Sequence, residues 1–177
     1  MKLWQIILIV LIVAGVAWFI YNMEIDAGKA NFELGLIKEK YNAKVSLWQV
    51  NDKQEDLKKE LESFYNNRLK NYSSLQAKAL QNMVKSEISI LDGMIAEKAA
   101  SDLIKDGSCT KIKQGMLKVN ESNANYLMAL NYANSMQTEL LNGKINYAAS
   151  NEIESKISAN NLRIMNIADF MSSINCS

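Results

Sequence analysis

From Ile112 onward the chain keeps one rhythm. Positions 112, 116, 119, 123, 126, 130, 133, 137 and 140 advance by fours and threes, and they hold Ile112, Met116, Val119, Asn123, Tyr126, Leu130, Ala133, Gln137 and Leu140. That spacing returns side chains to one face of an α-helix. A matching series follows with Ile153, Ile157, Asn160, Ile164, Ile167, Met171 and Ile174. Between the two lies Asn142-Gly143-Lys144, where glycine can take the left-handed conformation that ends a helix. Two helices of similar length joined by so short a turn have to be antiparallel neighbours. The pattern predicts a helical hairpin over residues 109–176.

The cysteines fit this geometry. The 177 residues contain two, Cys109 and Cys176. One precedes the outgoing helix and the other follows the returning one, so a hairpin brings them to the same end. The expectation is an internal disulfide, Cys109–Cys176, clamping the open end; free thiols and bridges between chains are the alternatives. Closing a loop of this length is worth roughly 4 kcal/mol in the chain-entropy account.

The hairpin also implies a register. Pairing the a positions of one helix with the d positions of the other sets Ile112 against Met171, Met116 against Ile167, Val119 against Ile164, Tyr126 against Ile157 and Leu130 against Ile153. The same register places Asn123 opposite Asn160. Facing amides satisfy each other and penalise slipped registers, so this seam polar pair is expected to act as a pin. The alternative is that a third helix rotates the seams and turns both amides to water.

The rest of the chain is also helical in character. It has no proline and 7 glycines, so little in it breaks a helix. Leu34, Ile37, Tyr41, Val45 and Trp48 form one stripe, and Leu57, Leu61, Phe64, Tyr72, Leu75, Ala79 and Met83 form another. Asp52 and Glu55 have the spacing of a capping box, and Gly107 is placed to end the second stripe. Unbroken, residues 53–104 would form a rod of roughly 78 Å. Ser73 with Gln76 offers a second capping pair at which that rod can break.

The N-terminal stretch LWQIILIVLIVAGVAWFIY, Leu3 to Tyr21, carries no charge. Nineteen helical residues rise about 28 Å, close to the thickness of a hydrocarbon core. Trp4 stands near one end and Trp18 and Tyr21 near the other, where amphipathic rings favour membrane interfaces. A cleaved signal peptide is the competing reading, but the apolar run continues past the small residues at Gly15 and Ala17. An uncleaved signal-anchor, a single transmembrane helix, is therefore expected. Lys2 and the α-amine bias the N-terminus weakly to the cytoplasmic side, leaving the body extracytoplasmic, where a disulfide persists.

These readings predict an all-α protein. Residues 1–22 form the transmembrane anchor and 23–51 a juxtamembrane amphipathic helix. Residues 52–106 form a long helix with a break near 73, and 109–176 the antiparallel hairpin of a coiled coil or helical bundle.

Several kinds of chemistry find no support. The chain has no histidine, which removes the commonest general base near neutral pH and the commonest metal ligand. Gly28-Lys29 and Gly143-Lys144 lack the remainder of a phosphate-binding loop. A net charge of +1 gives no basic footprint for nucleic acid. No catalytic, cofactor-binding or metal residues are assigned, no cofactor is expected, and the chain is not read as an enzyme.

The partners expected are the lipid bilayer and either another protein or a second copy, not nucleic acid. The functional expectation is a single-pass, membrane-anchored subunit that makes structural or protein–protein contacts in an envelope or surface complex. An extracytoplasmic small-ligand sensor bundle is one alternative. The other is a lysis tether, because an N-terminal anchor, an external coiled coil and two cysteines resemble phage inner-membrane spanin subunits in plan. The LemA family is also similar in plan, without its RRxDLIPNLV-like stretch. No family is assigned on these likenesses.

Overall fold

The computed structural model describes residues 3–43, 46–50, 52–136 and 149–176, and within these the side chains of all but 3–8, 19–26 and 149. The described residues form helices that pack against one another, with no strand among them. Five are α-helices: α1 (Leu3–Lys40), α2 (Gln54–Phe64), α3 (Leu75–Lys105), α4 (Cys109–Asn134) and α5 (Ala149–Ser173).

Side-chain pairs fix the directions. Lys40 reaches Glu60 and Arg68 reaches Glu33, so α1 and α2 are antiparallel. Lys58 with Asp92 and Lys98 with Asp52 make α2 and α3 antiparallel in turn. Ser86 Oγ donates to the Ala129 carbonyl at 2.8 Å and Asn82 Nδ2 to that of Ser135 at 3.2 Å, so α4 runs back along α3. Asn160 lies against Ser122, and Arg163 reaches Ser101, which sets α5 antiparallel to α4 and parallel to α3. The topology is up, down, up, down, up.

Only the start of the first stripe, Leu34 and Ile37, lies on α1; Tyr41 and Trp48 fall beyond its end. Ala27, Ala30, Leu34 and Ile37 of α1 are buried, and the helix runs through Gly28 without interruption. It ends at Lys40, earlier than the juxtamembrane helix expected over 23–51. Asn42 takes a positive φ of 56°, and a 3₁₀ turn at Leu47–Gln49 follows, capped by Ser46. Val45, the fourth position of the stripe, lies outside the described residues.

The expected rod over 52–106 is instead two antiparallel helices. Leu57, Leu61 and Phe64 bury one face of α2, at about 1.5–3 kcal/mol per large side chain. A π-helical turn over Tyr65–Leu69 then leads into the reversal. Ser74, one residue beyond the expected cap, accepts from the Ala77 amide at 3.1 Å and starts α3. Gln81 Nε2 donates to the Leu69 and Tyr72 carbonyls at 2.9 and 2.8 Å and ties the reversal together. A capping pair in mid-rod cannot by itself say whether the chain kinks or turns back. Burial of the α2 stripe against α3 decides that it turns back.

Asp52 and Glu55 make no capping box. Asp52 has φ 55° and binds Lys98, and α2 starts at Gln54 after Lys53, which provides no side-chain cap. Gly107 ends α3 with φ +77°, as its position implies.

The buried side chains form two clusters. The larger joins α1, α2, α3 and the ends of α4 and α5 around Leu34, Leu57, Leu61, Leu91, Tyr126 and Ile153. The smaller joins α3, α4 and α5 around Ala100, Ile112, Val119, Ile167, Met171 and Cys176. α3 and α4 approach closely because small residues line their contact: Ser86, Ser89, Gly93, Ala96 and Ala100 face Gly115, Ser122, Ala129 and Ala133, and all are buried.

Among the described residues no helix is long and apolar enough to cross a membrane. The apolar run contributes only residues 9–18 to the described side chains, a rise of about 15 Å. The span expected over Leu3–Tyr21 extends beyond them. The turn expected at Asn142-Gly143-Lys144 and the seam positions Gln137 and Leu140 also lie outside the described residues.

Candidate functional site

The conspicuous chemistry lies where α5 closes on α4, and it begins at the far end of the bundle. Cys109 opens α4 and Cys176 follows α5, and the two form a disulfide with their Cα atoms 5.5 Å apart. Cys176 is buried against the smaller core. Its amide donates to the Met171 carbonyl at 2.9 Å, so the bridge holds a helix end that is itself hydrogen-bonded.

Midway along the α4–α5 contact lies a polar layer. Asn160 is buried and its Nδ2 donates to Ser122 Oγ at 3.1 Å. One residue further round, Asn123 Nδ2 donates to Asn161 Oδ1 at 2.8 Å on the exposed side. The structure therefore brings Asn123 and Asn160 to the same layer without pairing them. Each bonds the sequence neighbour of its expected partner. Asn123 Oδ1 is buried without a hydrogen bond.

The cause is α3. It packs along α4 and rotates the inward face of that helix to Ile112, Gly115, Val119, Ser122, Tyr126, Ala129 and Ala133. A seam drawn for two helices overlooks Ser122, because serine gives no apolar signal. Its burial depends on a third helix.

Below this layer is an aromatic and charged cluster. The Tyr126 ring lies on the backbone of Gly93, where an added Cβ would overlap it. Its edge meets Trp48, with ring centroids 5.7 Å apart and planes at 68°. Trp48 Nε1 donates to Glu152 Oε2 at 2.5 Å. Lys156 Nζ sits 5.3 Å from the Trp48 ring centroid and 3.6 Å from Glu97. The Tyr126 hydroxyl is buried without a hydrogen bond. Burial first, and the negative Glu97 nearby, push its ionisation far above the ordinary phenol range. It is a neutral packing group and not an acid–base one. Trp48, Asn151, Glu152, Ser155 and Lys156 line a cleft of about 350 Å³ beside it.

The third feature ties α1 to α3. Glu87 is 2% exposed, and Lys38 Nζ meets its Oε1 at 2.5 Å. Its Oε2 is buried without a hydrogen bond. Burial raises the Glu87 pKa above the ordinary carboxylate value and outweighs the pull of Lys38. Nothing in the sequence pattern around Glu87 marked it, because one acid in a polar-rich helix looks like any solvated residue. Only the convergence of α1, α3 and their neighbours encloses it.

These groups hold helices together and set their register. Among the described residues no cluster of three or more histidine, cysteine, aspartate or glutamate side chains is arranged to hold a metal ion. No family model, no curated protein and no solved structure matches this chain.

Proposed function

We propose that this protein is a single-pass, membrane-anchored helical body that serves as a structural or protein-interaction subunit of an envelope or surface complex. In this reading the N-terminus is cytoplasmic and the bundle lies outside. The observation that carries it is the contrast within α1. Residues 27–37 bury Ala27, Ala30, Leu34 and Ile37 in the bundle, while Ile9, Val10, Leu11, Ile12, Val13, Val16 and Trp18 are each 50–69% exposed. A contiguous apolar surface of that kind is rare on a soluble monomer and marks a place where another apolar phase belongs. The uncharged sequence from Leu3 to Tyr21 supplies the length for that phase to be a bilayer.

An external body agrees with the disulfide, since such bonds persist in oxidising compartments. A role in assembly agrees with a body whose buried polar groups serve packing.

The experiment is alkaline carbonate extraction together with labelling. The full chain should stay in the membrane fraction, and Lys111→Cys, at an exposed position, should react with an impermeant maleimide on intact cells. Release by carbonate defeats the anchor. Labelling only after lysis reverses the topology.

A further inference from the structure

We propose that the reversal between α2 and α3 seats the body on an anionic lipid surface, with Lys70 and Lys78 facing the headgroups, Leu75 inserted among them, and Arg68 adding to the positive field from further out. The inference rests on the anchor reading above and adds to it a second membrane contact.

The charge distribution comes first. Residues 63–86 contain Arg68, Lys70, Lys78 and Lys85 and not one acid. This segment carries +4 in a chain whose net charge is +1, so everything else sums to −3. Lys85 is occupied, lying 5.3 and 5.5 Å from the ring centroids of Tyr65 and Tyr132. Arg68, Lys70 and Lys78 are exposed. Among the described residues only Arg68 of these three has an acid within ion-pair distance, Glu33 at 3.9 Å across an exposed gap.

Position is the second observation. Lys38 and Glu87 stand at the same level with a sequence offset of 49, and α1 and α3 run in parallel. Extending that offset brings Leu75 level with position 26 and Lys78 level with Lys29. Position 26 is five residues past Tyr21, the end of the uncharged run, or about 8 Å along the helix. The headgroup layer on each side of a bilayer is roughly 5–8 Å thick. The start of α3 therefore reaches the layer into which an anchored α1 would emerge. Leu75, its first residue, is 58% exposed. Lys78, level with Lys29, stands about 12 Å past the run, within reach of the layer for a lysine side chain, and Lys70 lies in the turn that precedes Leu75. An exposed apolar side chain with cations beside that layer has the chemistry of an interfacial contact, and an anionic surface attracts each such cation.

The test uses the full chain reconstituted in vesicles of phosphatidylcholine alone or with a third phosphatidylglycerol. Asn71→Cys, in the turn, and Lys111→Cys, at the far end, each carry an environment-sensitive fluorophore, and headgroup-attached spin labels serve as quencher. The expected result is strong quenching at 71 and none at 111, several-fold greater over phosphatidylglycerol. Lys70→Gln with Lys78→Gln should reduce the difference between the two lipids, since each cation near such a surface is worth about fivefold in binding. Arg68→Glu, Lys70→Glu and Lys78→Glu together should abolish it, while carbonate resistance and the gel mobility of the disulfide-bonded form stay unchanged.

A probe at 71 that remains in water over both lipids overturns the inference and leaves the turn to a protein partner. Equal quenching over both lipids also overturns it, because contact would then come from the anchor alone. If carbonate releases the chain, the anchor reading fails separately. The turn is then judged by whether the soluble chain sediments with phosphatidylglycerol vesicles in a manner lost on charge reversal, and absence of sedimentation overturns it.

Discussion

Glu87 shows what a single enclosed group does to the molecule. A carboxyl whose pKa is raised on folding binds its proton more tightly in the folded state than in the unfolded one. Its contribution is therefore most favourable below the unfolded value, 4.5, and is lost as pH rises through the folded value. Asp52 and Glu60 act in the opposite sense. Their lysine partners, Lys98 and Lys40, lower their pKa values, so what they contribute is lost as pH falls. The Glu87 term is isolated by difference. Relative to wild type, Glu87→Gln should gain stability as pH rises from about 4.5 to 8, read from urea midpoints at each pH. A constant difference would mean that Glu87 is ionised at the same pH in both states. Gly93 makes a simpler case. The Tyr126 ring occupies the space a Cβ would need, so Gly93→Ala should cost about 1–3 kcal/mol by overpacking. Gly115→Ala should cost a similar amount. There the added atom meets Ile104 Cγ1 at 2.6 Å and the Ala100 carbonyl at 3.2 Å, so a β-branched side chain with little χ1 freedom and the α3 backbone would both have to give.

Between elements, the α4–α5 contact was the most legible part of the sequence, and also the part where a small rotation mattered most. Of the apolar positions chosen from the spacing, Ile112, Val119, Tyr126, Ala133, Ile153, Ile167 and Met171 are buried, Met116, Leu130, Ile157 and Ile164 are half-buried, and Ile174 is exposed. The amides are in the expected layer. What changed is which atoms meet: Ser122 with Asn160 inside, Asn123 with Asn161 outside. This arrangement makes a sharp prediction. Asn160→Leu should destabilise by about 1–3 kcal/mol, because it leaves the buried Ser122 hydroxyl without its partner. Adding Ser122→Ala should recover much of that loss. Asn123→Leu should stay within about 1 kcal/mol of wild type, since its bond lies at the surface. Chemical denaturation of the four proteins decides between this layer and a direct Asn123–Asn160 pair, for which Asn123 would be the costly position.

At the scale of the whole molecule, the two cores divide the body. The larger one gathers all five helices near the end where α1 enters, and the smaller one uses only α3, α4 and α5, with the disulfide at its tip. The far half thus has fewer elements and a covalent clamp in their place. Reduction, or Cys176→Ser, should lower stability by up to roughly 4 kcal/mol. Hydrogen exchange should show where the loss falls: amides near 109–119 and 164–174 lose protection, while those of 57–64 and 80–91 keep theirs. Uniform loss along the chain would mean that the two cores unfold as one unit.

Sequence alone determined the helical class, the hairpin with its direction, the helix stop at Gly107 and the meeting of Cys109 with Cys176. Each of these follows from local rules: the 3.6-residue period, glycine's access to positive φ, and the succession of two amphipathic helices of similar length, although α4 ends at Asn134, short of the expected Leu140, and the expected turn lies outside the described residues. Tertiary structure alone decided that residues 52–106 fold back on themselves, that Ser122 and not Asn123 meets Asn160, and that Glu87 is enclosed. These outcomes depend on which face of a helix finds a neighbour. A stripe records that a face is apolar, but carries no label for the helix that will cover it. A polar residue's burial is set by elements distant in sequence, so no local pattern could have announced it.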